Sequence, residues 1–252
     1  AGLVEVVAAW PLGQEQLEAA MRRASHSGFD PGVVTDLAPL LDQGSAAAIQ
    51  VVNAQYGGLL ESSSSVLLVV KQWVLDSDGL VHRNDTSLDI RLTADDPRWT
   101  VTTVRPANPG PPNPPPSNNA AHLLANGRVR LPDAARADVR SGAISESVID
   151  ALNELSRDHV LDVSVLRSGH PIRVFGTGRR SNHTDGRAFD VFAIDGRLVV
   201  EPSNRDAVVN VMRAAAAAGA YQVGGPVDLD GVATKYFSDA THHDHIHVGF
   251  TN

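Results

Sequence analysis

The run "RPANPGPPNPPPSNN" at residues 105–119 is the strongest constraint on what this chain can fold into. Proline lacks the backbone N–H that helices and central strands require, so no regular element passes through it. Such a run favours extended polyproline II and acts as a semi-rigid spacer. Structureless connections longer than about 12–15 residues are uncommon inside one domain. The expected organisation is therefore an amino-terminal module at 1–104, a Pro-rich linker at 105–118 and a carboxy-terminal domain at 119–252. A length of 252 residues agrees, because single domains usually span about 100–200.

In the first part, "PLGQEQLEAAMRRASHSG" (11–28) predicts a helix, with Pro11 at its start and Gly28 after its end. A second short helix is expected around 31–42. Extended runs follow: "AAIQVVNAQYGGLL", "SVLLVVKQWVL", "TSLDIRLTA" and "RWTVTTVRP". Apolar and polar residues alternate in the last two, as in half-buried strands, and "DSDGL" reads as a hairpin turn. Helices followed by an antiparallel meander make a smaller α+β module. No catalytic arrangement stands out in it; His26 and His82 are isolated and read as solvent-facing or locally bonded.

In the second part, Ser145 and Glu146 suit the cap and first turn of a helix in "SESVIDALNELSRDH". "LDVSVLRSG" and "IRVFG" read as strands. "RAFDVFAIDGRLVV" reads as a hairpin turning at Asp195-Gly196. "SNRDAVVNVMRAAAAAG" is a helix ending at Gly219, and "HIHVGF" is a closing strand.

Composition narrows the function. A net charge of -8, with no Lys/Arg cluster, argues against nucleic acid as a partner. No run reaches the roughly 18 apolar residues of a membrane helix. Cysteine is absent, so any metal is held by nitrogen and oxygen. Two patches offer such ligands. "SNHTDGRAFDV" (181–191) carries His183 in a loop and Asp190 in the following strand, with Gly186 allowing a tight turn and Ala188 leaving room. "THHDHIHVGF" (241–250) carries four of the ten histidines, and period-two geometry sets His245 and His247 on one strand face. If the two strands pair, these groups converge on one ion. Each patch alone is also compatible with a polar loop; His242 and His243 read as loop residues, and His170, beside Pro171, as structural.

SxHxxGxAxD followed by a carboxy-terminal HxH resembles the LAS metallopeptidases, named for lysostaphin, D-alanyl-D-alanine metallopeptidases and sonic hedgehog. The matching residues are Ser181, His183, Gly186, Ala188, Asp190, His245 and His247. The resemblance covers residues 119–252 and implies a central antiparallel sheet with flanking helices. It implies Zn2+ held by His183, Asp190 and His247. It also implies a catalytic pair, Asp244 and His245: Asp244 is taken as the base and His245 as the oxyanion partner, the roles being exchangeable. Strand alternation turns Asp244 away from His247 unless the strand starts at His245 or bulges.

Relatives carry an "SGYR" segment whose arginine holds substrate. Here "LRSGHPIR" departs from it, and Arg173 and Arg180, with Ser181, become the candidate substrate contacts, Arg167 and Arg179 being alternatives. The implied activity is hydrolysis of peptidoglycan stem peptides, at a D-Ala-D-Ala or L-Ala-D-Glu type of bond, by a monomer in the cell envelope or outside the cell with its export signal removed. A catalytically silent wall- or protein-binding module and a hydrolase of another small peptide amide remain the alternatives.

Overall fold

The computed structural model describes residues 4–7, 33, 46–95, 98–113, 115–231 and 233–251. It is a mixed α+β structure with two sheets and, among the described residues, four α-helices. The helices expected at 11–28 and around 31–42 lie outside the described residues, Val33 excepted.

The first sheet is antiparallel throughout, in the order β1 (Val4–Val7), β2 (Ala46–Leu59), β3 (Ser63–Leu75), β4 (Val81–Asp95) and β5 (Arg98–Pro106). The four expected meander strands are all present. The "DSDGL" turn closes where Asp76 accepts from the backbone N–H groups of Asp78 and Leu80. His82 is exposed and bonded to Asp76 at 2.6 Å.

The second sheet runs β11 (Tyr236–Phe237), β10 (Gln222–Gly224), β12 (Ile246–Gly249), β8 (Ala188–Ile194), β7 (Leu161–Val165) and β6 (Val129–Arg130), with β9 (Arg197–Leu198) on β8. Its centre is antiparallel, while the edge pairs β6–β7 and β10–β11 are parallel. The helices are α1 (Asn118–Ala125), α2 (Asp133–Arg140), α3 (Glu146–Leu155) and α4 (Arg205–Ala217). Leu123, Val148, Leu152, Phe189, Met212 and Ile246 lose all contact with solvent in one apolar cluster drawn entirely from residues 120–250. Strand β8 is buried along its whole length, on both faces.

Some local expectations are met by other means. Ser145 is the N-cap of α3, yet its hydroxyl bonds Ser147 rather than a helix N–H. Its backbone N–H donates instead to Gly186 O at 2.9 Å, tying the helix start to the turn that carries His183. Asp195 (φ 53°) and Gly196 (φ 78°) form the hairpin turn, with positive φ at both central positions, as tight hairpins need. "IRVFG" is not a strand: it forms a loop closed by one bridge between Arg173 and Arg180 and by Val174 N–H donating to Arg179 O.

The Pro-rich segment is held at both ends. Ala107 N–H donates to Ser87 O on β4, and Asn113 N–H to Arg140 O at the end of α2, each at 2.9 Å. The two sheets also meet directly: Ser87 Oγ reaches Ser164 O, and the Asp85 N–H reaches the Asp133 carboxylate.

Candidate metal centre

Three features of the carboxy-terminal domain bring the ligands together. In the β8–β12 ladder His247 sits directly opposite Asp190, so residues 57 apart in sequence become cross-strand neighbours. The third, His183, opens a short 3-10 turn (His183–Asp185) capped by Gly186 at φ 67°. A Cβ on Gly186 would stand 1.8 Å from Ala143 O, so no other residue allows the backbone this approach.

His183 Nε2, Asp190 Oδ1 and His247 Nδ1 form a nearly equilateral triangle with sides of 3.1, 3.0 and 3.1 Å. Ligand atoms about 2.0–2.1 Å from a tetrahedral ion stand roughly 3.3 Å apart, so these edges fit a three-ligand site. The tautomer is set as well: His183 Nδ1–H donates to Leu166 O at 2.8 Å, which leaves the Nε2 lone pair facing its neighbours. With neutral rings, at most one proton, on His247 Nδ1, serves two acceptors, His183 Nε2 and Asp190 Oδ1. A cation satisfies that set better than hydrogen bonds do.

The electrostatics agree. Burial pulls His247 down to about 4, so its ring is neutral and a competent ligand at physiological pH. Burial pushes the Asp190 carboxyl upward, but His183 and His245 outweigh it and hold the group well below the usual carboxylate range. His170, His183 and Asp190 form a group able to hold a metal ion, their ligand atoms lying within 4.8 Å of one another. His170 stacks on His183 at 3.9 Å between centroids. It donates from Nδ1 to Pro171 O, and burial drives its pKa well below the ordinary imidazole value.

His245, 2% exposed, directs Nε2 at the site, 3.7 Å from Asp190 Oδ2. Its Nδ1 is bonded to Asp244 Oδ1 at 2.7 Å. Burial lowers its basicity, but Asp190 and Asp244 more than reverse this and raise it above the ordinary imidazole value. Both Asp244 oxygens are engaged, the second accepting from Tyr56 N–H at 3.1 Å. Strand β12 begins only at Ile246, so Asp244 and His245 lie in the preceding loop, free of strand alternation.

A cleft of about 500 Å3 opens over Asp190, His245 and His247, and its walls come from both sheets. Arg179, Arg180 and Ser181 line it. Arg180 is bonded to Asp185 at 2.7 Å. Ser181 is buried, its Oγ accepting from His183 N–H. Arg173 donates to Gly178 O and is not among the lining residues. His242 lines the cleft edge-on to Phe237, held by Asp239 at 2.7 Å.

Sequence reasoning missed one residue entirely. Gln55, from β2, is 1% exposed and donates Nε2 to Asp190 Oδ2 at 2.9 Å across 135 residues of chain. Its only signal in the sequence is a polar side chain inside an extended run.

No protein-family model, curated protein or solved structure matches the chain.

Proposed function

We propose that this chain is a zinc-dependent peptidase of the LAS type, acting on peptidoglycan stem peptides, with His183, Asp190 and His247 as its metal ligands. One observation carries the reading: three ligand atoms 3.0–3.1 Å apart at the floor of a cleft, beside an imidazole backed by a carboxylate. Two imidazoles and a carboxylate suit zinc, and a structural site would be closed by a fourth protein ligand rather than opened to a cleft. When bound, zinc polarises the scissile carbonyl and makes water a nucleophile near neutral pH.

The chain's own residues supply the rest. His245 accepts the water proton at Nε2 and returns it to the leaving amine. Asp244 fixes the His245 ring through Nδ1 and stabilises its protonated form. This reverses the roles taken from the resemblance, because Asp244 has both oxygens occupied whereas His245 presents a nitrogen to the cleft. His242, on the cleft wall, is placed to meet the developing oxyanion. Arg179 lines the cleft and suits a substrate carboxylate by its fork geometry. Such a substrate places the protein in the cell envelope or outside the cell.

The test is metal analysis of purified protein, then hydrolysis of a muropeptide panel ending in D-Ala-D-Ala or containing L-Ala-D-Glu. Cleavage should stop with a chelator and return with zinc. Zinc-loaded protein inert on every member would overturn the peptidase assignment and favour a silent wall-binding module.

A further inference from the structure

The amino-terminal sheet reaches the metal centre through two consecutive residues of β2. Gln55 Nε2 donates to Asp190 Oδ2, and Tyr56 N–H donates to Asp244 Oδ2. One contact restrains a metal ligand; the other restrains the carboxylate behind His245.

Local geometry shows that these contacts are built in. The β2–β3 register shifts between Val51 and Asn53 and again between Tyr56 and Gly58, so irregularities bracket residues 53–56. Bulges of this kind re-aim side chains and recur beside active sites. Among the described residues, strand β1 pairs with β2 at Ala47–Gln50, and farther along β2 Asp244 takes the Tyr56 N–H. The Gln55 amide is oriented by Asn53, which lies two residues away and so on the same strand face. Asn53 Nδ2 donates to Gln55 Oε1 at 3.1 Å, which leaves the Gln55 Nε2 for Asp190. Asp190 Oδ2 is thereby occupied, while Oδ1 faces His183 and His247.

We propose that the amino-terminal sheet is a working part of the metal centre, with Gln55 the positioning residue that holds Asp190 Oδ1 toward His183 and His247. The inference rests on the metal-centre reading above. Partners that orient a ligating carboxylate typically contribute 10–100-fold to metal affinity. Asn53 acts one step further out, through the orientation of Gln55.

The experiment uses the full chain and three variants: Gln55→Met, which keeps volume and removes the donor; Gln55→Glu, which turns a carboxylate on Asp190; and Asn53→Ala. Zn2+ affinity is read by competition with a chromophoric chelator, and ligand geometry by the visible spectrum of the Co2+ form. Gln55→Met and Gln55→Glu should each bind Zn2+ about 10–100-fold more weakly and shift the Co2+ spectrum. Asn53→Ala should weaken binding a few-fold. On an active substrate the loss should fall on kcat rather than KM. Folded Gln55→Met with unchanged Zn2+ affinity and an unchanged Co2+ spectrum makes Gln55 a packing residue and overturns the proposal. If Gln55→Met fails to fold, Asn53→Ala decides, since it leaves the Gln55 volume intact; unchanged affinity there overturns it equally. Failure of the parent reading looks different: the unmodified chain and His183→Ala would then bind Zn2+ alike.

Discussion

Residues 120–250 enclose an apolar cluster in which Leu123, Val148, Leu152 and Phe189 are sealed from solvent, whereas the longer strands of the amino-terminal sheet bury Leu67, Val69 and Val74 together with Gln55, Ser65 and Asp89. Apolar burial is strong but non-directional. A buried polar group must find a partner at a defined distance and angle. Ser65 Oγ donates to Asp89 Oδ1 at 2.6 Å, Arg91 to Asp89 at 2.7 Å and Gln55 to Asp190 at 2.9 Å. The carboxy-terminal region holds the apolar cluster, and the amino-terminal sheet adds directional bonds that reach the candidate site. The candidate site stands where they meet.

This contrast can be broken or sharpened by experiment. The largest effect is expected in the carboxy-terminal domain. On the proposed reading, His183→Ala removes a ligand and should weaken zinc binding more than about 100-fold, beyond the range for outer partners, with the proposed activity lost; metal analysis after dialysis checks it. His245→Ala should keep its zinc and lower kcat by about 100- to 10,000-fold, the range of a general base, in steady-state assays at saturating zinc. Gly186→Ala meets both a positive φ and the Ala143 carbonyl, and should destabilise by about 3 kcal/mol or more in urea titrations.

On the amino-terminal side, effects should be smaller and directed at the cleft. A Cβ on Gly58 would meet the Phe175 side chain at 2.1 Å. Gly58→Ala should therefore cost about 1–3 kcal/mol by overpacking and raise KM, since both residues line the cleft. An effect as large as that of Gly186→Ala would show that the two regions share one cohesive core.

The smallest effect is a pH dependence of the metal-free protein. Above pH 6.5 the His247 ring is neutral whether folded or unfolded. Between 6.5 and about 4 the unfolded chain takes up a proton that the fold refuses, so stability falls; below about 4 the loss is complete. His170 acts in the same direction, its pKa being lowered by burial. His245, raised by Asp190 and Asp244, acts in the opposite direction. A net loss of stability is expected by thermal melting between pH 7 and pH 4, after chelation.

Much of this arrangement was legible in the chain itself, and the exceptions have physical causes. The meander strands follow from alternation, the hairpin from Asp195-Gly196, and the cross-strand meeting of Asp190 with His247 from two short motifs whose strands pair. "IRVFG" misled because Ile172 and Val174 suit strands, yet Pro171, Gly176 and Gly178 confine the segment to a loop with one bridge. His170 reads as structural in the sequence because stacking on His183 leaves no periodic trace. Gln55 was invisible for a similar reason: its role comes from a partner 135 residues away, on a different sheet. Loop residues such as Asp244 and His245 can be nominated by type, but nothing in their own segment shows that the Tyr56 backbone N–H occupies the second Asp244 oxygen.

The pairing of His247 opposite Asp190 also governs how a lineage of such chains can drift in length. Because side chains alternate along a strand, one inserted or deleted residue inside β8 or β12 would turn a candidate ligand to the opposite face. The excursion between β9 and β12 is under less restriction, since its loops, such as residues 225–231, lie off the β8–β12 ladder that sets the two candidate ligands opposite each other. Insertions and deletions among descendants should therefore accumulate between the two strands and be absent within them.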